Sequence, residues 1–182
     1  MPCDSADLRA RASRIRLLLF DVDGVLTDGA LILHADGSES KSFDIKDGIA
    51  IVLAHRAGLA TGLLSGRRSA PTTLRAAQLG IRIVRQGATA KLDAYLDILE
   101  AEHLADVEVA YMGDDLLDLP VLARVGLSAA PSDAAEEVRT RVHWVSSSGG
   151  GRGAVRELVE VVLAAQDRWD DLIRLYAEGG GR

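Results

Sequence analysis

A single cysteine, Cys3, stands in a chain of 182 residues, so no internal disulfide can form, and the composition fits a reducing compartment. Aromatic residues are scarce at 4%, which leaves small and branched aliphatics to fill the core that a 48% hydrophobic content can build. Basic residues are outnumbered by acidic ones, 21 to 27. The resulting net charge of -6 argues against a general nucleic-acid binder, since phosphate backbones are held by basic patches. A small phosphorylated ligand is not excluded, because it responds to local charge. Lysine is rarest among the bases: 18 are arginine, and Lys41, Lys46 and Lys91 are the remaining three. No apolar run approaches a membrane span, and Arg9, Arg11, Arg14 and Arg16 precede Leu17 without the apolar stretch of a signal peptide. We therefore expect a cytoplasmic protein with no membrane or nucleic-acid partner. It should form one domain over 1–182, with a helix or tail over 1–15 and a disordered tail over 178–182.

What the chain does contain is alternation. Leu17–Phe20, 59–64, 81–84, 107–112, 127–130 and 142–145 read as buried strands. Between them, 47–58, 70–79, 88–103, 116–125 and 133–140 read as helices, the first two ended by Gly58 and Gly80 and the fourth closed by Gly126. Residues 30–34 and 39–44 alternate around "ADGS" and predict a β-hairpin after the first strand. The segments 152–165 and 166–177 predict one long helix or two consecutive ones. Strands alternating with helices imply an α/β fold with a mainly parallel sheet covered on both faces. Ligands of such sheets gather at the carboxyl ends of the strands.

Those ends carry chemistry. "DVDG" places Asp21 and Asp23 after the first strand, with Val22 turned back to the core. "LSGR" puts Ser65 and Arg67 at the next tip, Lys91 sits near the start of a helix, and "MGDD" delivers Asp114 and Asp115. Alone, a DxD is more often a turn or a helix cap, Ser65 a turn residue, Lys91 a solvated lysine and "GDD" a loop. All four in order, each after an expected strand, make a site. Crowded acids call for a cation, and oxygen ligands without His or Cys favour Mg2+. One carboxylate can attack phosphorus while a second, two residues on, exchanges protons with the leaving alcohol and with water. Ser65 and Lys91 are suited to hold the phosphoryl oxygens.

The stretches "DVDGVLTDG", "LLSGR", Lys91 and "MGDDLLD" resemble the four motifs of the haloacid dehalogenase-like (HAD-like) phosphatases, in the same order. Their spacing leaves no room for a large cap domain. The chain is most similar to the capless 3-deoxy-D-manno-octulosonate 8-phosphate phosphatases, over about 16–165, including "DIKDG", "QGATAKLDAY" and "GGGRGAVRE". The resemblance implies a Rossmann-like HAD fold and an Mg2+-dependent phosphatase that acts on a small phosphorylated sugar or sugar acid. It implies Asp21 as nucleophile and metal ligand, Asp23 as acid/base that ligates through its carbonyl, and Asp114 as third ligand. Asp115 and Asp118 would support them, and Ser65 and Lys91 would hold phosphate. Asp44, Lys46, Asp47 and Gly48 of "DIKDG", with Arg67 and Arg75, would surround the sugar. It also implies a homotetramer whose carboxy-terminal segment reaches a neighbouring site, with Arg152 a candidate in trans. Where the subgroup writes NVRDG this chain has "DIKDG", Val52 replaces a frequent arginine, and Ser65 replaces threonine.

The glycine run in "GGGRGAVRE" reads equally as a linker or as an anion-binding loop that opens a helix; the resemblance favours function. His34, His55, His103 and His143 are scattered without ligand spacing and imply packing or surface roles. Trp144 is expected to be buried and Trp169 to pack a helix or subunit. Rival functions are a phosphatase for another sugar phosphate or a nonulosonate 9-phosphate, a phosphoacceptor domain, and a silent partner. A receiver domain would place its acid pair and phosphorylated aspartate in a different order.

Overall fold

The computed structural model describes residues 6–180; Cys3 and the last two residues of the expected tail fall outside that range. Helix α1 (Ala6–Ala12) precedes β1 (Leu17–Phe20). The hairpin follows as β2 (Ile32–Leu33) and β3 (Glu39–Ser40), antiparallel, with Leu33 opposite Glu39. Next come α2 (Ile45–Arg56), β4 (Ala60–Ser65), α3 (Ala70–Leu79), β5 (Ile83–Gln86) and α4 (Lys91–Glu102). The chain continues through β6 (Val109–Met112), α5 (Leu119–Leu122), β7 (Leu127–Ala130), α6 (Glu136–Arg139) and β8 (Trp144–Val145) to α7 (Ala154–Ala165) and α8 (Trp169–Ala177). The main sheet runs β5-β4-β1-β6-β7-β8, and every neighbouring pair is parallel. The α/β fold expected from the alternation, a parallel sheet covered on both faces, is therefore present.

Strand β1 explains why both faces are covered. Its side chains alternate: Leu18 and Phe20 enter the cluster filled by α1, α2 and α7, while Leu17 and Leu19 meet Tyr95, Ile98 and Val121 of α4 and α5. All four are buried.

Several boundaries differ from expectation for local reasons. The strand expected at 81–84 starts two residues later, because the Ile81 amide still bonds back to the Ala76 carbonyl behind the left-handed Gly80 cap. The helix expected over 116–125 is a 3-10 turn (Leu116–Asp118) followed by the short α5, since Asp118 uses its carboxylate to tie the preceding turn. Helices α7 and α8 are separate, broken where Asp167 takes φ +56°. Residues 178–180 are not a loose tail: Gly179 is left-handed and the Gly180 amide reaches the Leu175 carbonyl, a Schellman cap on α8. Trp144 is half-buried rather than buried, because β8 is an edge strand.

Helices α2 and α7 are joined by a side chain. Buried Asp47 accepts hydrogen bonds from the backbone amides of Gly153 at 3.2 Å and Arg156 at 2.8 Å, capping α7 from another element. Asp47→Ala leaves both amides unpaired in the interior and is expected to cost about 1–3 kcal/mol. Urea denaturation at neutral pH measures this. A loss below about 0.5 kcal/mol, the range of ordinary surface substitutions, would remove the cap from the fold's supports.

Candidate active site

Four adjacent strands, β5, β4, β1 and β6, bring the four motifs to one rim. Asp21 extends β1 by one residue, its amide bonded to the Met112 carbonyl at 3.0 Å. The chain then turns sharply, with the Val22 carbonyl accepting from the amides of Val25, Leu26 and Thr27. Val22 is buried in the core, as the spacing predicts, and Asp21 and Asp23 both face the cleft. Gly24 makes the turn admissible: it has φ +83°, and a Cβ there would lie 2.0 Å from Asp114 Oδ2. The order of strands reverses beside β1, so the crevice between β1 and β6 lies where this class of sheet binds ligands.

The cleft holds about 310 Å³ and is lined by Asp21, Asp23, Ser65, Arg67, Lys91 and Asp114, among others. Lys91, the first residue of α4, is buried between two acids: Nζ lies 2.7 Å from Asp21 Oδ2 and 2.6 Å from Asp118 Oδ1. Asp118 Oδ1 also accepts from the Tyr111 hydroxyl at 2.5 Å, and Oδ2 accepts from the amides of Asp114 and Asp115. Burial raises the Asp21 carboxyl to about 6, helped by repulsion from Asp118 and opposed by Lys91. Burial raises Asp114 to about 8, with Asp21 and Asp118 adding to the effect. Burial alone would push Lys91 down, but Asp21 and Asp118 outweigh it and hold the ammonium above its ordinary value.

One lysine thus does not neutralise the group. Asp21, Asp114 and Asp118 each offer a carboxylate oxygen, and the three oxygens lie within 4.8 Å of one another. A hard divalent cation fits this all-oxygen set and the unbalanced charge. The cluster includes Asp118, expected only as a support, because the 3-10 turn brings it forward, although its oxygens are already engaged by four hydrogen bonds.

No family model matches the chain. It is 43% identical, over 92% of its length and 89% of the relative's, to the 3-deoxy-D-manno-octulosonate 8-phosphate phosphatase of Escherichia coli strain K12. The chain belongs to that phosphatase family. Solved structures agree: the Moraxella catarrhalis 3-deoxy-D-manno-octulosonate 8-phosphate phosphatase, in complex with magnesium, phosphate and KDO, superposes with TM-score 0.91 at 33% identity, covering 93% of this chain and 98% of that one. A HAD-superfamily subfamily III A hydrolase from Legionella pneumophila gives TM-score 0.91 at 39% identity, covering 94% of each chain. Membership of this phosphatase family makes the chain a phosphoric monoester hydrolase of the HAD superfamily.

The residues that the family resemblance set around the sugar divide into two groups. Arg67 stands at the cleft, its Nη2 donating to Glu39 Oε2 at 2.8 Å, and Lys46 is exposed. Asp44 caps α2 by accepting from the Lys46 amide at 2.5 Å. Asp47, Gly48 and Arg75, by contrast, are engaged elsewhere. Asp47 caps α7, and Gly48 lies against the Arg75 guanidinium, whose Nη2 donates to the Asp44 carbonyl at 3.2 Å. Those three shape the "DIKDG" loop from within this chain. Asp115 caps the 3-10 turn at the cleft edge.

The glycine run is no linker. Ser146, Ser147 and Ser148 converge on Glu157, and a Cβ at Gly150 would stand 1.9 Å from the Gly24 carbonyl oxygen. The Gly151 amide donates to the Val25 carbonyl at 2.8 Å. The run therefore buttresses the loop after Asp21, while Arg152 is exposed with Nη2 3.8 Å from Asp28. His34, His55 and His143 pair with the hydroxyls of Ser40, Thr61 and Ser128, as packing roles require. Sequence reasoning passed over Tyr111, Leu117, Glu39 and Lys41. The last had a signal: it is one of three lysines in an arginine-rich chain.

The carboxyl shifts fix a pH dependence. In the unfolded chain Asp21 and Asp114 lose their protons near 3.8, whereas the folded chain holds them to about 6 and about 8. Between those limits the native state binds more protons, so metal-free stability falls as pH rises. After EDTA treatment the Tm should drop by several degrees from pH 5 to 8.5, at about 2–4 °C per kcal/mol for a chain of this size. Millimolar Mg2+ should restore more at pH 8.5 than at pH 5. A flat, Mg2+-indifferent profile would contradict the crowding.

Proposed function

We propose that this chain hydrolyses 3-deoxy-D-manno-octulosonate 8-phosphate to the free sugar acid and phosphate, with Mg2+ as cofactor, in the cytoplasm. The observation that carries the proposal is the convergence of Asp21, Asp23, Ser65, Lys91 and Asp114 on one cleft. Asp21 attacks phosphorus and the ester bond breaks, with Asp23 giving a proton to the departing alcohol. Asp23 then takes a proton from water as the water oxygen attacks the aspartyl-phosphate, freeing Asp21 and phosphate. Lys91 and Ser65 hold the equatorial oxygens throughout. Asp21 and Asp114, with Asp23 through its carbonyl, would hold Mg2+, whose charge offsets that of the phosphoryl group. The second reading is a phosphorylated sugar without a carboxylate, because the Lys46 ammonium does not present a guanidinium's fork to a sugar acid.

The same reading makes the protein a homotetramer. Leu31, Ile32 and Leu33 are exposed on a hairpin of two residues per strand, too short to stand alone and apolar enough to be an interface. Among the described residues no helix is long and apolar enough to cross a membrane. Sedimentation should give a four-chain particle, and Ile32→Lys with Leu33→Lys should dissociate it; a wild-type monomer would refute the assembly.

Phosphate release across phosphorylated sugars and sugar acids tests the activity, with Asp21→Asn as blank. The octulosonate phosphate should exceed the rest by orders of magnitude in kcat/KM, Asp21→Asn should lose at least about 10³-fold, and EDTA should abolish turnover until Mg2+ is returned. Broad, weak turnover, or another winner, would refute the substrate; a fully active Asp21→Asn would remove the nucleophile.

A further inference from the structure

The hairpin sends one charged side chain inward. Lys41 follows β3, its side chain is 1% exposed, and Nζ lies 2.5 Å from Asp23 Oδ1. Two residues earlier on the same side, Glu39 accepts from Arg67. The other oxygen of the proposed acid, Asp23 Oδ2, is buried and has no hydrogen-bond partner among the described residues; Arg67 Nη1 stands 3.9 Å from it. Two features of this arrangement need a reason. A buried ammonium paired with a half-buried carboxylate adds little net stability, because desolvating the ammonium offsets the attraction, so packing does not account for Lys41. An unpaired buried carboxylate oxygen is costly in a resting protein, yet it suits a position where a reacting oxygen arrives.

Resting on the reading of Asp23 as acid and base, we infer that Lys41 is the residue that positions it. The ammonium engages Oδ1 and sets the plane of the carboxyl group, leaving Oδ2 for proton transfer. In the first half-reaction the Oδ2 proton passes to the leaving-group oxygen as the ester P–O bond breaks and the Asp21–phosphorus bond forms. In the second, Oδ2 takes a proton from water as the water oxygen bonds to phosphorus and the Asp21–phosphorus bond breaks. In this role Lys41 acts through its contact with Asp23.

The test compares kcat/KM for 3-deoxy-D-manno-octulosonate 8-phosphate, whose leaving alkoxide needs a proton, with that for p-nitrophenyl phosphate, whose leaving phenolate does not. Lys41→Met should lose about 100-fold on the sugar-acid phosphate through kcat, with KM nearly unchanged, but less than about 5-fold on the nitrophenyl ester. In an Asp23→Asn background, adding Lys41→Met should cost less than about 3-fold more, since both changes remove one function. Equal losses on the two esters, or losses that multiply in the double variant, would overturn the inference and leave Lys41 a packing residue. The double variant removes charge and countercharge together, so its comparison with Asp23→Asn decides the matter even where Lys41→Met alone does not fold. An Asp23→Asn variant that keeps full kcat/KM on the sugar-acid phosphate would instead remove Asp23 as the acid, and the inference with it.

Discussion

Lys91 lies within hydrogen-bond distance of both Asp21 and Asp118, and the rim depends on that ammonium. Without it, three carboxylates would meet in a mostly buried corner with their repulsion unopposed. With it, the charge is reduced but not cancelled, and burial first, with the remaining repulsion between the acids second, keeps Asp21 and Asp114 above their ordinary values. That residue of negative charge makes the corner a cation site. Tyr111 and the amides of Asp114 and Asp115 anchor Asp118, so Lys91 is braced against a fixed partner while its other contact faces the cleft. Strand ends suit this arrangement because the flanking ladders keep the carboxylates from swinging apart.

The loop after Asp21 needs equal support, and it comes from far along the chain. The glycine run presses its backbone against Gly24 and Val25, closer than any side chain would allow. Glu157 holds the three serines before it, and Asp47 holds the start of the helix after it. "DIKDG" and "GGGRG" are therefore two parts of one strut. Asp47 of the first motif and Gly150, Gly151 and Gly153 of the second are spent on positioning the loop, while Lys46 and Arg152 are exposed and Arg67 of "LSGR" lines the cleft.

Much of this was legible in the sequence where the signal is local. Leu17–Phe20 and Val109–Met112 are continuous apolar runs, the pattern of strands buried on both faces, and β7 has the expected limits. The site was legible for the same reason: its acids, hydroxyl and lysine follow those strands directly, so placing the strands places them. What was not legible depends on contacts between distant residues. Asp47 caps a helix 106 residues away, and nothing near it in sequence reveals that. Asp118 splits an apparent helix by turning its carboxylate back onto two amides, a choice that periodicity does not register. Lys41 sits in an exposed-looking hairpin, yet its side chain is the buried one.

The cleft thus has two halves of different origin. The sheet rim carries Asp21, Lys91 and Asp114, held by ladders, caps and braces within one chain. The hairpin carries Glu39 and Lys41, which grip Arg67 and Asp23 from outside the main sheet, while its apolar residues Leu31, Ile32 and Leu33 remain exposed. A two-residue ladder gives that hairpin little rigidity of its own. Any surface that covers it would therefore hold Asp23 and Arg67 in place through Lys41 and Glu39. Holding the hairpin still and placing the Asp23 carboxylate are one mechanical problem. The rim can then stay constant while the hairpin and the loop after it change with the substrate.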